Sequence, residues 1–110
     1  MITEIVSFTL PEGTTREDLL AKYRSSVPLW RGNPDLILKT FVFDEATRRG
    51  GAVYLWPDID AAKRAHGDAF RERVRTIYGS EPEFQYLDSL IVIDKWANRV
   101  VESSARTVSE

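Results

Sequence analysis

The side chain best suited to move a proton near neutral pH is His66, the single histidine of this 110-residue sequence. Its ordinary pKa of about 6.5 lies close to working pH. His66 belongs to a stripe of largely apolar residues at helical spacing, and such a stripe would face a sheet. We therefore predict a catalytic role for His66 as a general base. The alternative is a core histidine whose ring nitrogens bond to the backbone or to a tyrosine hydroxyl.

A set of aromatic residues, together with one lysine, predicts a pocket for a small planar ligand. Two of them lie on one side of a predicted helix, three come from predicted strands, and Phe70 shares the stripe of His66. Lys39 could neutralise a phenolate, or it could lie at a strand rim or pair with a cross-strand acid. The aromatic residues could equally form an ordinary core. The predicted substrate-binding residues are Tyr23, Trp30, Lys39, Tyr54, Trp56, Phe70 and Tyr86.

Several kinds of chemistry lack the residues that they need. The sequence has no cysteine, which excludes disulfides, thiolate metal sites and a cysteine nucleophile. One histidine gives no recognisable metal cluster and no serine–histidine–aspartate arrangement. The glycine-rich fingerprints of dinucleotide and P-loop sites are missing too. We therefore predict neither a metal nor a cofactor. An enzyme built on this chain would need a substrate that brings its own reactivity, such as a phenol or hydroquinone that reacts with O₂.

Charge and hydropathy limit the classes of partner that this protein is expected to bind. The formal net charge of −2 gives no electrostatic reason to expect nucleic acid or an anionic membrane as a partner. No apolar run approaches the roughly 20 residues of a membrane span, and residues 1–4 do not resemble the start of a secretory signal. Together with the absence of cysteine, these features predict a cytoplasmic protein.

The elements that position these residues are organised around a predicted strand over residues 50–56. Its β-branched and aromatic residues follow a glycine pair and precede Pro57, a composition that fits a strand buried on both faces. Tyr54 and Trp56 point to the same face of that strand. Further strands are predicted at 2–10, 36–44 and 83–94. Helices are predicted at about 15–27 and 58–79, with Pro28 kinking or ending the first and Gly67 dividing the second.

The element order β-α-β-β-α-β predicts a ferredoxin-like α+β fold, with an antiparallel sheet and two helices on one face. We predict one domain over residues 1–96 and a polar C-terminal tail over 97–110, disordered or laid on a neighbour. The second face of the sheet also carries apolar residues, such as Leu36, Leu38 and Val42. Because two helices cover only one face, we predict a homodimer in which two sheets face each other.

Two stretches and the order of elements resemble a known family. The run from Asn33 to Lys39, a charged turn, and the Gly-Gly-Ala-Val-Tyr-Leu-Trp block at 50–56 resemble the YdhR-type mono-oxygenase family of the dimeric α+β barrel superfamily. The resemblance covers about residues 1–95. It implies the dimeric barrel and a pocket between the sheet and its own helices. The antibiotic-biosynthesis and haem-degrading mono-oxygenases are relatives of that family.

The haem-degrading relatives do not fit this sequence. Trp56 and His66 are ten residues apart, like a Trp and His of those enzymes, but Trp56 ends a strand. Alignment from that strand puts Ala65 and about Arg75 at the two helical positions, and Ser7 replaces the Asn of strand one. The antibiotic-biosynthesis relatives oxidise phenolic polyketides without metal or flavin. That resemblance implies a cofactor-independent mono-oxygenase acting on a small phenol or quinol-like aromatic.

Two other functions stay open at this point. The same pocket could hold a small hydrophobic ligand without converting it, which would make the chain a non-catalytic ligand-binding dimer. The dimer could also have a purely structural role. The substitution His66→Ala separates the first two possibilities, because loss of a general base lowers a rate by roughly 10²–10⁴-fold, whereas a binding protein would lose only modest affinity.

Overall fold

The computed structural model describes residues 1–103, and its elements follow the predicted order with a C-terminal hairpin added. The predicted second helix is divided at Gly67, as expected. This arrangement, with an antiparallel sheet and helices between its strands, confirms the predicted α+β fold class. The elements are β1 (Ile2–Thr9), α1 (Arg16–Arg31), β2 (Leu38–Asp44), β3 (Arg49–Trp56), α2 (Ile59–Ala65), α3 (Asp68–Tyr78), β4 (Glu83–Asp88), β5 (Ile91–Asp94) and β6 (Arg99–Glu102).

Strands β1 and β3 form the centre of the main sheet, whose order is β2-β3-β1-β4, and all neighbouring strands are antiparallel. Burial alternates along β1, as expected for a strand with one face on the core. On β3, Tyr54 and Trp56 are buried in the core. The helices contribute Leu19 from α1 and Val74 from α3 to the same core.

Helix α1 continues to Arg31, although the sequence predicted that Pro28 would kink or end it. A proline inside a helix removes one N–H donor and crowds the carbonyl four residues earlier. The following turn nevertheless stays hydrogen-bonded, because the Gly32 N–H donates to the Pro28 carbonyl at 3.1 Å. The buried indole of Trp30 lies in this last turn, and its packing offsets the lost bond. The helix end predicted near residue 27 is therefore wrong.

The helices bury only narrow apolar stripes. Leu20 and Val27 on α1 are 46% and 37% exposed and line a surface groove beside β2. Ile77 on α3 is exposed as well. A helix on one sheet face buries only a stripe of its surface, and the residues at the stripe's margins stay in contact with water. The residues of α1 that the fold buries are Leu19, Tyr23 and Trp30.

The last predicted strand, 83–94, is two strands with a break at Ser89. The Ser89 N–H donates to the Met1 carbonyl at 2.9 Å, and its hydroxyl lies 2.6 Å from that of Thr3. Strand β5 then pairs with β6, which begins at Arg99 inside the predicted tail. Val100 and Val101 give this segment the β-branched residues that a strand needs. The rest of the predicted tail, from residue 104, lies outside the described residues.

Candidate active site

One row of side chains crosses the whole sheet on its helix-facing side. Cross-strand pairing places Lys39 opposite Tyr54, Tyr54 opposite Glu4, and Glu4 opposite Tyr86. Residues directly opposite each other on antiparallel strands have β-carbons about 5 Å apart. The four strands therefore present a basic group, a phenol, a carboxyl group and a second phenol in that order beneath the helices.

A cavity of about 210 Å³ lies between this face of the sheet and helices α1 and α3. Its walls are mainly aromatic and aliphatic, and the basic side chains that line it are Lys22, Lys39 and Arg73. The predicted substrate-binding residues that line the cavity are Tyr23, Trp30, Lys39, Tyr54 and Phe70. The predicted site residues that do not line it are Trp56, His66 and Tyr86. The structure thus brings five of the eight residues to one cavity.

Lys39 is held among aromatic rings rather than beside an acid. Its Nζ lies 3.5 Å from the ring centroid of Trp30, 4.1 Å from that of Phe41 and 4.5 Å from that of Tyr54. Burial, and secondarily the charge of Arg73, lower the pKa of Lys39 to about 6, although Glu4 acts in the opposite direction. Within residues 1–103, no carboxylate forms an ion pair with it. Most of this amine is therefore neutral at pH 7.

The hydroxyl of Tyr23 fastens helix α1 to the sheet at the edge of the cavity. It donates to the Val42 carbonyl at 2.9 Å and accepts the Gly51 N–H at 2.9 Å. A β-carbon on Gly50 would lie 2.7 Å from this hydroxyl, so glycine leaves the room that it needs. Both glycines lie inside β3, within the strand predicted over residues 50–56. The ring of Tyr23 can contact a ligand, whereas its hydroxyl is already engaged.

A second polar group, which we call the Glu4 cluster, consists of Glu4, Trp56 and His66. The side chains of Glu4 and His66 are fully buried. Glu4 Oε1 accepts the Trp56 Nε1–H at 2.8 Å and lies 2.8 Å from His66 Nδ1. The same Nδ1 lies 3.2 Å from the Ala62 carbonyl. Because a carbonyl oxygen can only accept, Nδ1 carries the hydrogen.

Two atoms of the Glu4 cluster have unused hydrogen-bonding capacity. Glu4 Oε2 and His66 Nε2 are buried and have no hydrogen-bond partner among the residues described. The His66 ring is packed against Phe70 at 4.3 Å and Tyr54 at 4.7 Å between centroids. Both of these rings also line the cavity. They form the wall that separates His66 from the cavity.

The phenols in the row stay protonated. Burial, followed by the charge of Glu4, raises the pKa of Tyr54 well above its ordinary value. The same two causes raise the pKa of Tyr86 to about 12. Each phenol therefore keeps its hydrogen at neutral pH and can donate it in a hydrogen bond.

Sequence reasoning missed two residues of this site. Glu4 has an inward position in the alternating strand Ile2–Thr9, between two apolar inward neighbours, and this register was the available signal. Arg73 lies in a run of alternating charge, which is typical of a solvated helix face, but its own side chain turns towards the core. Its guanidinium lies 5.4 Å from the Phe70 ring centroid and lines the cavity, because Arg73 is one residue from the buried Val74.

In the part of the chain that the structure describes, no group of three or more His, Cys, Asp or Glu side chains could hold a metal ion. None of the helices there has the length and apolar composition needed to cross a membrane.

The fold is shared with solved oxygenase structures. An antibiotic biosynthesis monooxygenase superposes with a TM-score of 0.62 at 18% identity, covering 81% of this chain and 98% of that one. SnoaB, a cofactor-independent oxygenase from Streptomyces nogalater, gives a TM-score of 0.58 at 17% identity, with 80% and 91% covered. A protein from Shewanella oneidensis gives 0.55 at 24% identity, with 79% and 92% covered.

No family model matches the sequence, and no curated protein matches it either. At these identities the likeness establishes the fold. The chain has the fold of the solved antibiotic biosynthesis monooxygenase structures.

Proposed function

We propose that this protein is a cofactor-independent mono-oxygenase that oxidises a small phenol or quinol-like aromatic in the cavity between the sheet and its helices. The observation that carries the proposal is the Lys39 amine, which lies on the cavity wall among three aromatic rings without an acidic partner in the described chain. The fold of an oxygenase that works without a cofactor, SnoaB, gives further support. The run at 50–56 supports assignment to the YdhR-type subfamily.

The cavity suits a single aromatic ring. About 210 Å³ is below the range of drug-sized ligand pockets. The rings of Trp30, Tyr54 and Phe70 offer edges and faces to a planar substrate. These contacts would hold the substrate's hydroxyl near Lys39 and keep water away from the reacting carbon.

In this proposal Lys39 takes the phenolic proton. The neutral amine becomes an ammonium next to the phenolate, and the surrounding ring faces stabilise that cation. The electron-rich phenolate then reduces O₂. One oxygen atom bonds to a ring carbon and the other leaves as water with two substrate hydrogens, so that phenol plus O₂ becomes quinone plus water. The protein supplies the base and a dry cavity, and the substrate supplies all four electrons.

His66, the base predicted from the sequence, has a different place in this proposal. Its Nδ1 is engaged by Glu4, and Tyr54 and Phe70 lie between its ring and the cavity. We propose that His66 acts through Tyr54 by fixing the position of that ring. A direct role as base would require the aromatic wall to open.

The test is O₂ uptake with a panel of monocyclic phenols and hydroquinones. Lys39→Met should lower kcat/KM by roughly 10²–10⁴-fold. Lys39→Arg should lose as much, because an arginine is always protonated and cannot accept the proton. Lys63→Met, on an exposed lysine, is the matched control. An unchanged rate in Lys39→Met with a large loss in His66→Ala would return the base role to His66.

The pH profile provides an independent check of the same assignment. A base with a pKa of about 6 must lose its proton before it can act, so kcat/KM should rise with pH through about 6 and then level off. Lys39→Arg should abolish this rise while the protein stays folded. If kcat/KM of the wild-type protein did not rise with pH through about 6, this result would contradict the assignment of Lys39 as the base.

A ligand-binding protein without turnover is the second candidate, favoured by the mainly apolar lining of the cavity. In that case the same phenols would bind in calorimetry, and no O₂ would be consumed at any pH. Binding without uptake across the whole panel would establish this function in place of the first.

We also propose that the protein is a cytoplasmic homodimer. The outer face of the sheet exposes Leu38, Val42 and Leu87, and the β5–β6 hairpin exposes Ile93 and Trp96. A second sheet placed on this face would bury these side chains. The absence of cysteine supports the proposed location.

A further inference from the structure

We propose that Lys39 also condenses reversibly with small aromatic aldehydes and ketones in the cavity, forming an imine. This activity requires no O₂ and no reactive phenol. It extends the range of molecules that the site binds from phenols to carbonyl compounds.

The geometry around Lys39 favours a nucleophilic amine. Its Nζ contacts the faces of three rings and has no hydrogen-bond partner in the described part of the chain. The Lys39 side chain lines the cavity, so a molecule bound there lies beside it. Desolvated lysines without an acidic partner are the ones that form Schiff bases. The lowered pKa of Lys39 agrees with this arrangement.

Imine formation needs neither an oxidant nor a reductant. The Nζ lone pair adds to the carbonyl carbon and gives a carbinolamine. One water molecule then leaves, carrying the carbonyl oxygen and both amine hydrogens, and the C=N bond replaces the C=O bond. Arg73 lines the same cavity and is a hydrogen-bond donor for the carbonyl oxygen.

The cavity also defines the class of carbonyl compound. Its volume of about 210 Å³ suits one ring with a short side chain. The ring-lined walls favour an aromatic over a sugar-like or polyhydroxylated aldehyde. Benzaldehyde is the simplest probe of this class.

The experiment is reductive trapping under anaerobic conditions. Wild-type protein is incubated at about pH 6.5 with benzaldehyde and sodium cyanoborohydride, which reduces an imine to a stable benzylamine, and the modified residues are located by peptide mass mapping. The chain has four lysines, and Lys22, Lys63 and Lys95 are exposed. An ordinary lysine with a pKa of about 10.4 is only about 10⁻⁴ neutral at this pH. Labelling of Lys39 should therefore exceed labelling of each exposed lysine by a factor of roughly 10² or more.

Two controls make the result decisive. Benzyl alcohol, which fits the cavity but cannot form an imine, should suppress labelling of Lys39 and leave labelling of the N-terminal amine unchanged. Lys39→Met should lose the benzylamine adduct that the wild-type protein forms at residue 39, whereas Lys63→Met should keep the adduct at Lys39. Equal labelling of Lys39 and Lys63 in the wild-type protein would overturn the proposal. Since the experiment excludes O₂, its failure leaves the proposed oxygenase activity to be judged by O₂ uptake alone.

Discussion

At the scale of single residues, the site depends on a half-buried amine, Lys39, and a buried carboxyl group, Glu4, which the fold keeps apart. Lys39 borders the cavity, and Glu4 lies two strands away in the same row. Tyr54 lies between them and contacts both the lysine and His66. The Tyr54 ring therefore links the cavity to the Glu4 cluster.

The first prediction at this scale concerns the cost of burying Lys39. Between about pH 6 and about pH 10.4, the unfolded state binds one more proton at this lysine than the folded state does. The free energy of unfolding should therefore rise with pH across this window, by at most about 1.4 kcal/mol per unit. Below the window, the lysine destabilises the fold fully, and above it the cost disappears.

Lys39→Met should consequently stabilise the protein most near pH 6 and least near about pH 10. Urea denaturation of both proteins at several pH values would measure this difference. Lys63→Met, on the exposed face of α2, should give a difference that does not vary with pH. A stabilisation of Lys39→Met that is the same at all pH values would show that the pKa of Lys39 is unperturbed.

A second prediction concerns the Glu4 cluster. His66→Ala leaves the buried Glu4 carboxyl group without one of its two donors and removes a ring packed against Phe70. The loss should be roughly 3–5 kcal/mol in the free energy of unfolding. Glu4→Gln preserves the shape and an acceptor for Trp56, so its loss should be smaller.

The double variant tests whether the two residues act as a pair. Glu4→Gln combined with His66→Ala should lose less than the sum of the two single losses, by roughly 1–3 kcal/mol. Urea denaturation of the four proteins supplies this cycle. Strict additivity would contradict a direct bond between Glu4 and His66.

At the scale of elements, strand β3 depends on its two glycines. Gly51 has a φ of +147°, and a β-carbon there would lie 1.9 Å from the Val6 carbonyl oxygen on β1. The Gly51 N–H also donates a hydrogen bond to the Tyr23 hydroxyl. The close approach of β1, β3 and α1 at one point therefore requires a residue without a side chain.

We predict that Gly51→Ala destabilises the protein by roughly 2–4 kcal/mol, because the strand must move away from Val6 or adopt another backbone conformation. Thermal unfolding followed by circular dichroism would measure the loss. Gly67→Ala is the matched control. No atom lies within 4 Å of its added carbon and its φ is −79°, so the change should be within about 0.5 kcal/mol. Similar effects of the two substitutions would contradict the tight contact at Gly51.

At the scale of the whole molecule, the sheet has one covered face and one open face. The helices and the cavity cover the inner face, while Leu38 on β2 is 59% exposed on the outer one. Trp96, in the turn of the C-terminal hairpin, is fully exposed. An apolar face of this kind is typical of an interface between proteins.

We predict a native mass of twice the monomer at micromolar concentration, measured by light scattering after gel filtration. Leu38→Glu should shift the protein towards the monomer, because a charge would be buried in the contact. Leu20→Glu, on the exposed side of α1, should leave the mass unchanged. A monomeric wild-type protein, or a Leu38→Glu variant that stays dimeric, would exclude a dimer through this face.

The sequence by itself determined the order of the elements and the residues on each face of the strands. The β-branched and aromatic composition of β3 and the apolar stripe of the second predicted helix are local properties of the chain, and the element order that such patterns indicate predicted the fold class correctly. Local signals also named five of the residues that line the cavity. They did not predict the extension of α1 beyond Pro28. Packing of Trp30 in the core offsets the hydrogen bond that the proline removes, and this packing is a property of the tertiary structure.

Only the tertiary structure decided what each polar side chain does. Pairing across four strands brings Lys39, Tyr54 and Glu4 into one row, although they are far apart in the chain. Burial then gives Lys39 its lowered pKa, and the same packing encloses His66 behind aromatic rings. The electrostatic properties of a group depend on its surroundings in space. For that reason His66 is the natural candidate base when only the sequence is considered. In the fold, Lys39 is the candidate base that lines the cavity.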